Sequence, residues 1–373
     1  MWIERRYTVR FVTPGFVGGA DQSGEWRTPP FKALLRQWWR VVWWHTVKGP
    51  TIQTLREAEG DLFGWAADTE KKAKKSQVLL RLESWRQGNQ TDQDFNKIQF
   101  PDVKHLELKD REGRPKPVAA SLYLGYGPIN PERGAAVLKR ARALAAGENQ
   151  TLTVAFPSGA EGILENAMQL ISLFGTLGGR SRNGWGSLNL VPEESASAQW
   201  PPVDGFFDPK ALQAREWLKK FSEDYQTTFM YDWCHSIGKD GEGLLLWCTE
   251  ARDRWEEVFR DLAEAKIAFR TQFHFQGGGT HLKLCDRQIL AYPVTSHFLS
   301  AWGQTSRLAN QILFKVLADG DQHRGLVVHM PHGLPKPLRE KLDPNTKNTL
   351  KEREIKVWSE VHQTLGRHFV RLP

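Results

Sequence analysis

The sequence predicts an α+β fold in which two β/α halves follow one another, each with helical insertions. Three observations support this. Alternating, β-rich segments recur at both ends of the first half, and stretches with helical spacing lie between them. A Ser/Pro-rich segment then divides the chain near its middle.

Residues Ile3 to Val12 alternate and are rich in β-formers, which predicts a strand. A loop with Pro14, Gly15, Gly18 and Gly19 follows, and Pro29 and Pro30 open the helical pattern "PFKALLRQWWRVVWWHTV". "TIQTLREAEGDLFG" predicts a second, shorter helix. "SQVLLRLESW" and "SLYLGYG" read as strands. "PERGAAVLKRARALAAG" reads as a helix with a starting Pro and a closing Gly. "TLTVAF" is then a strand, "GILENAMQLISLFGTLGG" a helix, "RSRNGWGS" a loop and "SLNLV" a strand. This succession is the order of a ferredoxin-like (RRM-like) unit carrying insertions, and it sets a first domain at residues 1–192.

"PEESASAQWPPVDG" predicts a linker at 193–205. In residues 206–373, the stretch from Pro209 to about Glu264 reads as mainly helical, with amphipathic turns around Trp217, Phe221, Trp255 and Phe259. "KIAFRTQFHFQ", "THLKLC", "NQILFKVLADG" and "RGLVVHM" read as strands, and "TLKEREIKVWSEVHQTLG" as a closing helix. The second half is thus expected to be a helical insertion plus a second ferredoxin-like unit.

Composition narrows the function classes. The chain has 373 residues, 40% of them hydrophobic and 25% charged, which is ordinary for a globular protein with a sizeable core. Its net charge of +8 favours a polyanionic partner. The sixteen Trp either thicken cores or offer stacking surfaces. Three Cys without CxxC spacing argue against a disulfide framework or a structural zinc site. No apolar run suits a membrane span and no signal-type h-region follows the first charges, so the expected compartment is a reducing cytoplasm.

Two segments carry the functional expectation. On the first helix, Phe31, Leu35, Trp38 and Val42 form the core stripe, flanked by Leu34 and Val41. Lys32, Arg36 and Arg40 recur every four residues along another face, and Trp39 and Trp43 project into the same sector. Cations beside aromatic rings suit single-stranded RNA, with stacking contributing about 1–3 kcal/mol per base. The plainer alternative is a solvated basic face whose Trp residues pack on a neighbour. The second segment is the loop "GTLGGRSRNGWGS". Gly178, Gly179, Gly184 and Gly186 would let backbone N–H groups approach a phosphodiester, while Arg180 and Arg182 bind its oxygens. Trp185 could stack on a base or tuck beneath the loop.

This loop resembles the glycine-rich signature of RAMP proteins: paired glycines, a basic spacer, then Gly184-Trp185-Gly186. Three segments of the first half, "TPGFVGGAD", "RTPPFKALLRQWWR" and "LREAEGDLFG", are similar in order and wording to the start of the first RAMP subunit of type III-B (Cmr) CRISPR effector complexes. The resemblance covers about the first half of the chain. It implies two RAMP domains in tandem and a non-catalytic subunit that binds guide crRNA near its 3′ end. It also implies a part in capturing target RNA beside other Cmr RAMP subunits in antiviral defence, with no cofactor.

The alternative expectation is a RAMP endoribonuclease using Asp21 with a metal, or His45 without one. Asp21 lies in the loop region from which target-cutting relatives supply an aspartate, but the sequence shows no second carboxylate beside it, so a loop-capping role is expected. His45 falls on the core-facing side of the helix, which favours a packed histidine. Among weaker signals, Lys71, Lys72, Lys74 and Lys75 read as a solvated loop. His329 and His332 point to opposite faces of a strand end, and buried thiols explain Cys234 and Cys285.

Overall fold

The computed structural model describes residues 1–19, 21, 23–67, 73–132, 135–193 and 205–373. The first half holds β1 (Trp2–Phe11), α1 (Thr28–Thr46), α2 (Ile52–Phe63), β2 (Leu79–Leu82), β3 (Asn149–Pro157), α3 (Glu161–Phe174) and β4 (Leu188–Pro192). Its antiparallel sheet runs β4-β1-β3-β2, with Tyr7 opposite Leu152 on one side and Pro192 on the other. The alternation of β1 decides which face is covered. Tyr7, Val9 and Phe11 point into the core while Glu4, Arg6 and Arg10 stay exposed. Phe31, Leu34 and Leu35 of α1 and Met168 and Ile171 of α3 share the core cluster that closes over this face.

The second half repeats the succession: β5 (Leu246–Cys248), α4 (Trp255–Thr271), β6 (Ile312–Asp319), β7 (Gln322–His329), α5 (Pro344–His368) and β8 (Val370–Arg371). Its sheet runs β6-β7-β5-β8. Numbered within its own half, each sheet has the strand order four-one-three-two. The second sheet is buried on both faces, which explains why β6, apart from Lys315, and the end of β7 are apolar at successive positions instead of alternate ones. Leu246, Cys248, Leu313, Leu326 and Val328 join the core of the first half, whereas Trp247, Phe314, Val316 and Val327 face the cluster containing α4 and α5.

Lys315 lies on this seam, fully buried, and its ammonium donates to the carbonyls of Ser172, Gly175 and Leu188. It thus satisfies two carbonyls at the end of α3, where a cation is favoured, and one at the start of β4. Burial holds its pKa well below the usual lysine value.

The α+β class matches the sequence expectation, but several elements differ. "SLYLGYG" is largely helical over Ala120–Gly125, burying Ala120, Ser121, Leu124 and Gly125 on one side instead of alternate residues. "PERGAAVLKRARALAAG" is not a helix. It contributes to a hairpin in which Ile129–Glu132 pairs with Ala135–Leu138, and Ile129 is fully buried in the cluster around Trp185. That burial overrides a helix propensity worth only a few tenths of a kcal/mol per residue, on the order of thermal energy.

"KIAFRTQFHFQ" is not a strand at its start, because Lys266 to Thr271 finish α4; this part of the helix is buried on nearly every side, so its pattern mimics alternation. The stretch expected to be mainly helical instead contains the strands Ser222–Asp224, Ile237–Asp240 and Gly243–Leu244 before β5. In "THLKLC" only Thr280 and His281 are in a strand, the short segment Gly279–His281. Most of the expected linker, residues 194–204, lies outside the described residues, as do Lys71 and Lys72. Among the described residues no helix is long and apolar enough to cross a membrane.

Candidate nucleic-acid interface

Helix α1 opens on Pro29 and Pro30, whose missing N–H groups cost nothing in a first turn, and it is 19 residues long. Its core stripe is buried as its periodicity predicts. The ridge beside it is more tightly held than the sequence suggests. Arg36 Nε donates to Glu59 Oε1 at 2.7 Å, while Arg40 Nε and Nη2 reach Oε2 and Oε1 at 2.8 and 2.7 Å. Glu59 comes from α2. Burial pushes its carboxyl up, but the two guanidinium groups outweigh burial and hold its pKa below the usual carboxylate value. Lys32 donates to Ser76 Oγ at 2.7 Å. Two arginines on one carboxylate leave the cluster with a net positive charge and both guanidinium groups partly exposed.

The two tryptophans of this ridge are not surface rings. Trp39 and Trp43 are 2% and 7% exposed, so their expected stacking on bases is corrected. They lie 6.0 Å apart between ring centroids, and Phe63 meets Trp39 edge-on at 5.5 Å. Helix α2 supplies Phe63, covering a face that α1 alone would leave open.

The glycine-rich loop is also corrected in part. Gly184 and Gly186 are buried, and Gly178 is exposed. The N–H groups of Gly179, Gly184 and Gly186 donate to Phe16 O, Ser181 O and Pro14 O, so they are not offered to a phosphodiester. Gly186 must be glycine because its φ is +64° and a Cβ would lie 1.9 Å from the Leu177 carbonyl oxygen. Trp185 is fully buried, with Phe16 and Phe259 rings 5.0 and 4.6 Å away. Of its two possible placements, the indole takes the one beneath the loop.

The arginines of the loop remain at the surface. Arg180 is exposed and donates to Tyr126 O at 2.6 Å, with a left-handed φ of +57°. Arg182 donates to Asn310 O, and its side chain joins Arg36 and Arg40 in lining a groove of about 370 Å³ with Gln37, Trp233 and Cys234. The structure therefore brings the helix ridge and the loop together through Arg182.

A second basic hollow of about 280 Å³ was missed in the sequence reading. Lys139, Arg140 and Arg142 line it with Gly18, Gly24, Gly127 and Gly179. The cationic run "KRAR" was its available signal, concealed by the helical reading of that segment. Gly179 belongs to this hollow and Arg182 to the other groove, so the loop borders both.

The candidate catalytic groups have structural partners. Asp21 accepts from Ser23 N at 2.9 Å, a loop-capping contact. Glu25, however, approaches it: a Cβ on Gly19 would lie 2.3 Å from Glu25 Oε2 and 3.4 Å from Asp21 Oδ1. The expectation that no second carboxylate stands near Asp21 is thereby corrected. His45 Nε2 contacts Ser236 Oγ at 2.8 Å, and burial is the main cause of a pKa lowered to about 4. His329 and His332 are both buried; Gln311 Oε1 meets the His329 ring at Nε2 and accepts from the backbone N–H of His332. Among the described residues no group of three or more His, Cys, Asp or Glu side chains could hold a metal ion.

No family model matches the chain, and no curated protein matches it. Among solved structures it is similar to the crystal structure of Cmr1 from Pyrococcus furiosus in its apo form. The two are 14% identical over 88% of this chain and 87% of that one, with a TM-score of 0.43. It is also similar to a chain of the cryo-EM structure of Type III-B Cmr-beta bound to cognate target RNA, at 13% identity, 96% and 100% coverage and a TM-score of 0.42. A chain of a Type IV-B CRISPR complex is 15% identical over 54% of this chain and 96% of that one, with a TM-score of 0.28. At these scores the likeness assigns neither a fold nor a function.

Proposed function

We propose that this chain is a non-catalytic RNA-binding subunit of a type III-B (Cmr) CRISPR effector complex, built from two ferredoxin-like RAMP units in tandem. It binds guide crRNA and helps capture target RNA beside other RAMP subunits in antiviral defence. The position near the guide's 3′ end follows from the RAMP resemblance alone. One observation carries the RNA reading: Arg36 and Arg40 of α1 and Arg182, far from them in sequence, line a single open groove. The strand order four-one-three-two in both halves supports the tandem architecture. Phosphate contacts would supply affinity, and base pairing by the guide would supply sequence specificity.

Arg36→Gln and Arg182→Gln are the informative variants, because Arg40 still pairs with Glu59 when Arg36 is replaced. Combined, they should weaken binding of single-stranded RNA to the full chain by roughly tenfold at moderate salt. Crosslinking in the reconstituted complex should attach RNA to peptides of α1 and the 178–186 loop. Unchanged affinity in the double variant would sink the assignment.

The approach of Glu25 to Asp21 favours one second reading, a metal-dependent RAMP endoribonuclease. Incubation with labelled RNA separates the two. Cleavage that EDTA, Asp21→Ala or Glu25→Ala abolishes would establish the enzyme, and His45→Ala tests the metal-free version.

A further inference from the structure

Where the loop meets the second half, three cations gather without an anion to balance them. Arg180 comes from the loop, and Lys266 and Arg270 from successive turns of α4. Lys266 is 9% exposed, and its ammonium donates to a neutral acceptor, Asn183 Oδ1, at 2.6 Å. Asn183 is fixed in turn, its Nδ2 donating to Leu124 O at 2.7 Å and its backbone N–H to Arg180 O at 2.8 Å. Arg270 Nη1 lies 3.4 Å from Tyr123 Oη, and the Lys266 ammonium sits 6.0 Å from the centroid of the same ring.

The Arg180 guanidinium lies beside Gly127, where a Cβ would meet Nη2 at an ordinary contact distance of 3.5 Å. Among the described residues none of the three cations forms an ion pair with a carboxylate. Glu107, whose charge reaches Arg270, is already held by both terminal nitrogens of Arg287.

An isolated ammonium is costly to bury, and two like charges beside it add to the cost. Burial lowers the Lys266 pKa well below the ordinary lysine value, and Arg270 and Arg180 push it the same way. Burial also lowers the pKa of Arg180, again with Arg270 acting in the same direction. A folded chain keeps such a cluster at little cost if an anion shares it. The site is open to solvent on the side of Arg180 and Tyr126, which is 61% exposed.

We propose that Arg180, Lys266 and Arg270 form a receptor for one phosphate-type oxyanion at the seam between the two halves, distinct from the groove of Arg36, Arg40 and Arg182. The two guanidinium groups would grip oxygens from the rim, and the ammonium would take a third from below. The oxyanion belongs either to a phosphodiester or to a free phosphate. Because its ligand bridges loop and α4, the site would also brace the two halves against each other.

Thermal unfolding and titration of the full chain with inorganic phosphate, against chloride at matched ionic strength, test this directly. Millimolar phosphate should raise the unfolding temperature of the natural sequence. Arg270→Gln should weaken phosphate binding by about tenfold or more. Lys266→Met should abolish the phosphate-dependent increment and be no less stable than the natural sequence without phosphate. The Arg36→Gln/Arg182→Gln variant should lose RNA affinity and keep the full phosphate effect, which separates this site from the RNA reading. Competition by single-stranded RNA lacking terminal phosphates would assign the oxyanion to a phosphodiester, and its absence to a free phosphate. A phosphate effect that is missing in the natural sequence, or equal in it and both variants, overturns the proposal.

Discussion

Glu59 gives α1 its electrostatic character, since one carboxylate organises two arginines. Its folded pKa is depressed, so its contribution to stability is fully present above the unfolded carboxyl value and is lost as pH falls through the folded value. Glu59→Gln should therefore flatten the acid limb of the stability–pH curve below about pH 4.5, as read by urea denaturation across pH.

Glu354 behaves in the opposite sense. Burial raises its carboxyl to about 8, and it accepts from Leu334 N at 3.1 Å. It is therefore protonated in the fold at neutral pH, and its burial becomes increasingly destabilising as pH rises from the unfolded value towards 8. Glu354→Gln should leave stability unchanged near pH 5 and raise it by about 1–3 kcal/mol near pH 8, measured by the same denaturation.

At the scale of elements, the glycine-rich loop behaves as a junction. It links the loop after β1, through Pro14 and Phe16, to β6, where Phe314 N donates to Arg182 O at 3.0 Å. Trp185 sits at the centre of the aromatic cluster this creates. Trp185→Ala should cost about 3–5 kcal/mol by chemical denaturation, because a large cavity opens where several elements meet. Gly186→Ala should destabilise by more than about 2 kcal/mol, since a methyl group must displace the Leu177 backbone at a positive φ. A Gly186→Ala protein of unchanged stability would show that the loop can rearrange freely. The glycines and arginines mark this segment in the sequence, but the glycines serve close packing and not phosphate contact. For Gly179 and Gly186, whether the backbone N–H faces solvent or a carbonyl depends on a partner segment more than 150 residues away.

For the whole molecule, the proposed function predicts a salt dependence. If the two charges that Glu59 leaves unbalanced on Arg36, Arg40 and Arg182 neutralise two phosphates, the logarithm of RNA affinity should fall against the logarithm of salt with a slope of about −1.4. The Arg36→Gln/Arg182→Gln variant, in which Glu59 balances Arg40, should bring that slope towards zero, as followed by fluorescence anisotropy. A slope that does not change would place the RNA elsewhere, with the hollow of Lys139, Arg140 and Arg142 as the next candidate.

What the sequence determined by itself was local and periodic. It set the core stripe of α1, the alternation of β1, the strands β6 and β7, and the alignment of Lys32, Arg36 and Arg40 on one side of a helix. Those follow from 3.6-residue and two-residue repeats, which a chain carries before it meets anything else. Tertiary structure alone decided what covers each face. Helix α2 covered Trp39 with Phe63 and gave Arg36 and Arg40 a shared carboxylate, and packing of Ile129 in the cluster around Trp185 turned an expected helix into a hairpin. Burial is a property of pairs of surfaces, and a periodic pattern describes only one of them.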